Sequence, residues 1–368
     1  MDDSLWHQIP TTFDHVGTSD PRFFDRYWFA ANDPAGGGAL QFTLGAYQNM
    51  NVMDGGFVVI HEGRQHNVRV SRSLRPHYET ACGPLHVEVI EPLHRVGLRV
   101  AAGGHGIHGE LEWTAVMPPQ EEVPRFTRVR GRVVEESRRF DQIGECRGWL
   151  DIEGRRLDIE RWWAARDHSW GVRQQMGIAE PVTGPTVEAG AGRLFAFLFF
   201  STEAIAGHVQ LAQFSGQPDH LTALLSHRRH PELNDVEVVD ASLSVGFHDD
   251  GRPRRFRHAR FDLQLVDGRP VVVDLEALGP SIAMPGLGYG GYDDGLGLGV
   301  WRGLDHVEHD VWDVSHHRDV ARADGRVDRP VHRIQPVHVS VRGDDMDGDG
   351  TGSMTLIAEG SLPRLGVL

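Results

Sequence analysis

The stretch Ile107-His108-Gly109-Glu110-Leu111-Glu112-Trp113-Thr114-Ala115 changes character at every step. Ile107, Gly109, Leu111, Trp113 and Ala115 share one face, and His108, Glu110, Glu112 and Thr114 the other. Period two with one polar face is the signature of a half-buried antiparallel strand. Toward the N-terminus further strand candidates lie at residues 27–30, 39–46, 57–60, 66–70, 86–90 and 96–101. These runs are punctuated by the glycines of 36–38, by Gly55-Gly56 and by Glu62-Gly63, a hairpin signal. Toward the C-terminus, Pro118-Pro119 breaks the chain before runs at 126–134 and 146–152. Glu153-Gly154 then turns it into 157–163.

The second half repeats the pattern. Residues 194–200 are almost wholly apolar, as expected of a strand covered on both faces, and 209–214 continue it. Asp250-Gly251 and Asp267-Gly268 read as two-residue hairpin turns, the latter between 261–266 and 270–275. Residues 337–341 and 353–358 pair around an Asp/Gly loop. Only 221–225 reads as a turn or two of helix. Pro181, Gly184, Pro185, Gly190 and Gly192 give 178–192 the composition of a linker. The expectation is an all-β protein of two domains, residues 1–180 and 181–368, each in the size range of barrels and sandwiches.

Composition narrows the function. The 368 residues are 40% hydrophobic and 24% charged, which suits a globular protein with a substantial core. A net charge of −15 argues against a nucleic-acid surface. All 37 basic residues are Arg, so Schiff-base chemistry, a pyridoxal-phosphate anchor and a phosphate-loop lysine are excluded. Cys82 and Cys146 make neither a disulfide framework nor a zinc site. Residues 1–20 have no apolar signal core, and no window reaches the 18 or so apolar residues of a spanning helix. A cytoplasmic protein without a transmembrane segment is expected.

Several motif-like stretches have plain structural readings. G-x-G-x-x-G occurs at 104–109 and 286–291, but neither opens a helix, so both read as turns. Asp345, Asp347, Asp349 and Gly350 begin like a calcium loop, yet the twelfth position is Leu356, which belongs to the next strand. His61-Glu62-Gly63-Arg64-Gln65-His66 lacks the zinc-helix spacing, and there is no G-x-S-x-G elbow.

Two segments carry chemistry. Residues 161–173 read Arg-Trp-Trp-Ala-Ala-Arg-Asp-His-Ser-Trp-Gly-Val-Arg. An Asp seldom goes inside without a donor, and here Arg166, His168 and Arg173 are at hand for Asp167. The stretch follows a strand and is expected in a loop or short connection. It is either a preorganised reactive cluster or a lock that fixes the backbone. Residues 288–313 place Tyr289, Tyr292, Trp301 and Trp312 around Asp293, Asp294, His306 and Glu308, the make-up of an aromatic pocket with one reactive point. The alternative is barrel core with acids on loops. On a strand, His306 and Glu308 share a face and His309 opposes them. A metal at His306 is a third, weaker reading.

Residues 163–171, Trp-Ala-Ala-Arg-Asp-His-Ser-Trp-Gly, resemble the W-x-D-H-x-W-G element of the lipocalin-like hydroxyneurosporene synthase (carotenoid 1,2-hydratase) superfamily. More distantly they are similar to tocopherol cyclases and Diels–Alderase-type pericyclases. The R-D-H-S-W-G-x-R form looks closest to a large, mostly uncharacterised bacterial branch. Gln142-Ile143-Gly144, Gly299-Val300-Trp301-Arg302-Gly303 and Trp312-Asp313 add to the likeness, although Trp163 stands further from Asp167 than in W-x-D-H. The resemblance implies two calycin-type antiparallel β-barrels packed together, with an apolar pocket near their junction. It implies hydration, cyclisation or pericyclic chemistry on a hydrophobic small molecule of isoprenoid or polyketide type.

Protonating an isolated alkene needs a carboxylic acid kept neutral by burial, aromatic shielding of the cation, and a base to guide water. In this sequence Asp167 is the expected acid or proton relay, with His168 its partner and Glu308 a second acid. Trp170, Arg166, Tyr292, Trp301 and His306 are expected to contact substrate. Arg173 would anchor a polar head group or pair with Asp167. Flanking arginines favour an ionised Asp167, which strengthens the lock. No cofactor and no metal are expected. The alternative function is a non-catalytic binder of lipids or other hydrophobic molecules.

Overall fold

The computed structural model of the protein describes residues 10, 12, 14–76, 79–177, 184, 192–214, 219–362 and 365. Most of the linker expected at 178–192 lies outside these residues, as do 1–9 of the lead-in. The fold is all-β and lipocalin-like: a closed eight-stranded antiparallel barrel packed on a larger, 15-stranded sheet.

The first sheet is two meanders joined by two long strands. Phe23–Asn32, Gly38–Tyr47, Val52–His61 and Arg64–Ser73 form one meander, and Leu85–Glu91, Arg95–Val100 and Ile107–Ala115 lie in the other. Arg132–Ile152 pairs with Ile107–Ala115, and Arg155–Val172 bridges Arg132–Ile152 to Phe23–Asn32. The sheet curls over a core of Phe29, Phe42, Phe57, Leu111 and Trp113. Its far end returns against the first meander, where the Cys82 thiol donates to Met53 O at 3.6 Å. The alternation of 107–115 is realised: Ile107, Gly109, Leu111 and Trp113 are buried and Glu110 is exposed.

The barrel contains Gly192–Thr202, Ile205–Phe214, His220–His227, Val236–Phe247, Phe256–Leu265, Pro270–Ala277, Arg333–Arg342 and Gly348–Gly360. Pairing of Pro270–Ala277 with Arg333–Arg342 closes it. The apolar run at 194–200 is covered on both faces, as its composition requires. Leu194, Ala196, Leu198 and Phe200 fill the barrel, while Phe197 and Phe199 point outward onto the first sheet with Phe195 packed beside them. That outward aromatic ridge meets Trp28, Trp163 and Ala165 of the first sheet and forms the floor between the two units.

Three sequence expectations are corrected. Residues 221–225 belong to the strand His220–His227, because pairing with Ile205–Phe214 outweighs the local helix preference of Leu and Ala. Asp250-Gly251 lies in a longer connection between Phe247 and Phe256. The Arg166–Gly171 stretch is no connection: it lies inside the strand Arg155–Val172, with a hydrogen-bonded neighbour on each side. Sheet membership also departs from chain order, since His306–Asp313 adds to Arg64–Ser73 at the edge of the first sheet.

Candidate active site at the sheet–barrel junction

Strand register builds the site. Across three neighbouring strands, Trp28 stands opposite Asp167, which stands opposite Asp141. Two residues along, Arg26, Ser169 and Arg139 form the adjacent row. Side chains two apart share a face, so these six project together toward the barrel. Arg26, Trp28, Arg139, Asp167 and Ser169, with Arg173 further along, form one wall of a cavity of about 100 Å³. The opposite wall is the aromatic ridge Phe195, Phe197 and Phe199, and Tyr289 and His332 close one side. Arg139, Arg173, Phe195, Tyr289 and His332 also bound a second space of about 320 Å³, reaching Gln174, Gln175 and Glu135.

Within this cavity Asp167 is lightly held. Ser169 Oγ donates to its Oδ1 at 3.3 Å, and Arg139 Nε stands 3.8 Å from Oδ2. Burial pushes the carboxyl above the usual carboxylate range, against the opposing pull of Arg139 and Arg173. Arg139 is engaged elsewhere, by Glu122 at 3.0 Å and by the Phe197 ring at 5.4 Å. Arg173 lies over the Phe24 ring at 4.7 Å. His332 is neutral, its pKa pushed down to about 3 by burial and by the Arg173 charge.

Behind Asp167 lies a second buried cluster. Asp141 is 1% exposed. Burial and the neighbouring Glu122 raise its carboxyl well above the ordinary carboxylate range. His208 Nδ1 stands 3.1 Å from Gln120 Oε1 and 3.6 Å from Asp141 Oδ2. Burial lowers the His208 pKa from 6.5 to about 4. The unfolded chain therefore binds a proton that the folded one does not, and the stability this His contributes falls as pH drops from 6.5 toward 4. His208→Gln is expected to flatten urea-unfolding stability across that window, by up to about 1.4 kcal/mol per pH unit. A parallel pH profile in the variant would contradict the assignment.

The profile of a family of unknown function, DUF8625, matches residues 1–355. The chain belongs to that family. No curated protein sequence matches this DUF8625 chain. Among solved structures, it is similar to the crystal structure of CghA with Sch210972. The identity is 10% and the TM-score 0.50, with 92% of this chain and 89% of that chain covered. Kievitone hydratase from Nectria haematococca has 10% identity and a TM-score of 0.48, over 91% of this chain and 89% of its own. The CghA likeness shows a shared fold.

The DUF8625 chain distributes its sequence-predicted site residues unevenly. Asp167 and Arg173 reach the cavity. His168 does not, because consecutive strand residues face opposite ways. Its Nε2 meets Asp25 Oδ1 at 2.6 Å, and its ring packs on Tyr27, Phe140 and Trp170. Arg166 also faces away. Its Nε donates to Gln142 Oε1 at 2.9 Å and its guanidinium stacks over Trp113 at 4.7 Å, while Gln142 holds Leu93 O and Met117 O. These contacts turn Arg166 and His168 away from the cavity.

The 288–313 unit does not converge on the cavity, apart from Tyr289. Tyr292 is buried with its hydroxyl donating to Val70 O at 2.9 Å and Arg302 stacked on its ring at 3.7 Å. Trp301 is 55% exposed. Glu308 is paired with Arg69, and His306 Nε2 lies 3.4 Å from Glu308 Oε2. The motif glycines are structural. A Cβ on Gly144 would stand 2.5 Å from Thr114 O, and one on Gly171, at φ +129°, 2.2 Å from Glu136 O.

Arg26, Arg139, Phe195, Phe197, Phe199 and His332 are among the cavity residues that sequence reasoning missed. For Arg26 a signal existed: it falls on the same strand face as Phe24, Trp28 and Ala30, a lone charge on an apolar stripe.

Proposed function

We propose that this protein is a cofactor-independent acid–base enzyme. It hydrates, isomerises or cyclises a C=C bond of an apolar isoprenoid- or polyketide-like substrate held between the sheet and the barrel. The observation that carries the reading is Asp167, a carboxyl with a burial-raised pKa and few hydrogen bonds, set in an aromatic-walled cavity. In the proposed step its O–H gives a proton to one alkene carbon. The π pair forms the new C–H bond, and the adjacent carbon becomes a cation. The faces of Trp28, Phe195 and Phe197 shield that cation. Water adds at the cation and returns a proton to the Asp167 carboxylate, completing hydration. Loss of a neighbouring proton to the same carboxylate gives isomerisation; attack by a second double bond forms a ring C–C bond and moves the cation onto the ring, and loss of an adjacent proton to that carboxylate completes cyclisation.

The test uses D2O. Wild-type protein and Asp167→Asn are incubated there with an apolar extract of the host cells, and products are followed by mass spectrometry. The reading expects a species carrying carbon-bound deuterium with the wild type and its absence with the variant. Equal product from both would sink the acid role. An apolar molecule that co-purifies and is never converted would favour the binder.

A further inference from the structure

Arg26 is 2% exposed, and none of its three guanidinium nitrogens has a hydrogen-bond partner among the described residues. An arginine is charged at any ordinary pH, and leaving that charge buried and unpaired is strongly unfavourable. Among the described residues the Tyr289 ring lies 4.9 Å from its guanidinium, and Tyr47, Asp54 and Tyr292 act on its charge without hydrogen-bonding it. Asp54 acts on it through space, but the hydrogen bonds of that carboxyl come from the Tyr47 hydroxyl at 2.9 Å and the Gly299 N–H at 2.6 Å and not from Arg26. Arg173 lines the same cavity, and burial, with the like charges of Arg139 and Arg26, lowers its pKa against the pull of Tyr289 and Asp167. Among the described residues Asp167 is the one carboxylate on the wall of the inner cavity, and Arg139 is already paired with Glu122. The cavity thus holds more positive than negative charge inside a chain whose net charge is −15.

We infer that the ligand of this cavity is a carboxylate: an apolar, aromatic or polyene body whose anionic end sits between Arg26 and Arg173. This deepens the function proposed above and rests on it for the identity of the site. The two guanidiniums supply planar donor forks that match a carboxylate. The aromatic ridge covers the apolar remainder. The anion also takes up the positive charge that would otherwise hold Asp167 ionised, so the substrate itself favours the acid form of the group that acts on it.

Calorimetry on the full chain tests this with trans-cinnamate, 1-naphthoate, octanoate and decanoate, each against its primary alcohol. At least one carboxylate is expected to bind about tenfold or more tighter than its alcohol, the scale of a charge-assisted hydrogen bond. Arg26→Gln and Arg173→Gln are each expected to remove about that factor while leaving alcohol binding nearly unchanged. Equal affinity for acid and alcohol, or no binding by any carboxylate, overturns the inference. If Arg26→Gln fails to fold by circular dichroism, the wild-type comparison and Arg173→Gln still decide. Asp167→Asn separates the two proposals, because it should keep or tighten carboxylate binding while abolishing deuterium incorporation. Carboxylate binding without any turnover would leave this inference standing and the reaction refuted. Turnover without carboxylate binding would do the reverse.

Discussion

Asp167→Asn is expected to lower turnover by about 10²–10⁴-fold, the usual worth of a positioned general acid, without loss of fold. The amide keeps the shape of the carboxyl and can still accept from Ser169 Oγ, so little packing changes. What goes is the transferable proton. Stability should hold or rise at neutral pH, and the sign follows from linkage. A carboxyl whose folded pKa is raised contributes stability below its unfolded value near 3.8 and loses it as pH climbs through the folded value. At pH 7 the wild type bears that loss, and the variant does not. Thermal unfolding should therefore show a gain for Asp167→Asn at pH 7 that shrinks at pH 4. His168→Gln is the informative companion. It alters the adjacent residue in sequence but the opposite face of the sheet, so turnover should stay within about twofold, as for surface changes away from a site. A collapse of activity in His168→Gln with Asp167→Asn unimpaired would reverse the assignment.

Trp113→Ala is expected to cost about 3–5 kcal/mol of unfolding free energy, the range for emptying a buried indole. Trp113 is 1% exposed and fills the first core beside Phe29, with ring centroids 6.3 Å apart. Its face also carries Arg166 at 4.7 Å, and its edge fits against Gly144, where a Cβ would come within 2.6 Å of the ring. The substitution thus removes apolar burial and the aromatic support of a buried guanidinium together. Denaturant unfolding would register it as a lower midpoint with little change in slope. A loss under about 1 kcal/mol would mean that the core relaxes into the space.

Local periodicity made much of the fold legible. The alternation around Trp113, the Glu62-Gly63 hairpin and the doubly covered run ending at Phe200 all hold in three dimensions. The mistaken elements share a cause. Residues 166–169 are polar, and polar residues read as a connection, but here protein covers both faces of the strand. Leu221 to Leu225 reads as helix until its neighbouring strand is known. The site was legible only where one segment carried it, at Asp167 and Arg173. Arg26, Arg139 and the aromatic ridge join them through inter-strand register and docking, which sequence spacing does not encode. The aromatic cluster of 288–313 misled because Tyr292 and Trp312 serve buried hydrogen bonds and guanidinium stacking.

The six letters from Arg166 to Gly171 act as a two-sided hinge pin between architecture and chemistry. Arg166, Trp170 and Gly171 answer to the scaffold, while Asp167 and Ser169 answer to the chamber. On the function proposed above, a descendant could exchange Asp167 for an inert residue, keep most of the signature, and survive as a carrier of the same molecule. Sorting transformers from carriers among look-alike sequences should therefore begin with positions 167 and 169 and ignore the rest of the word.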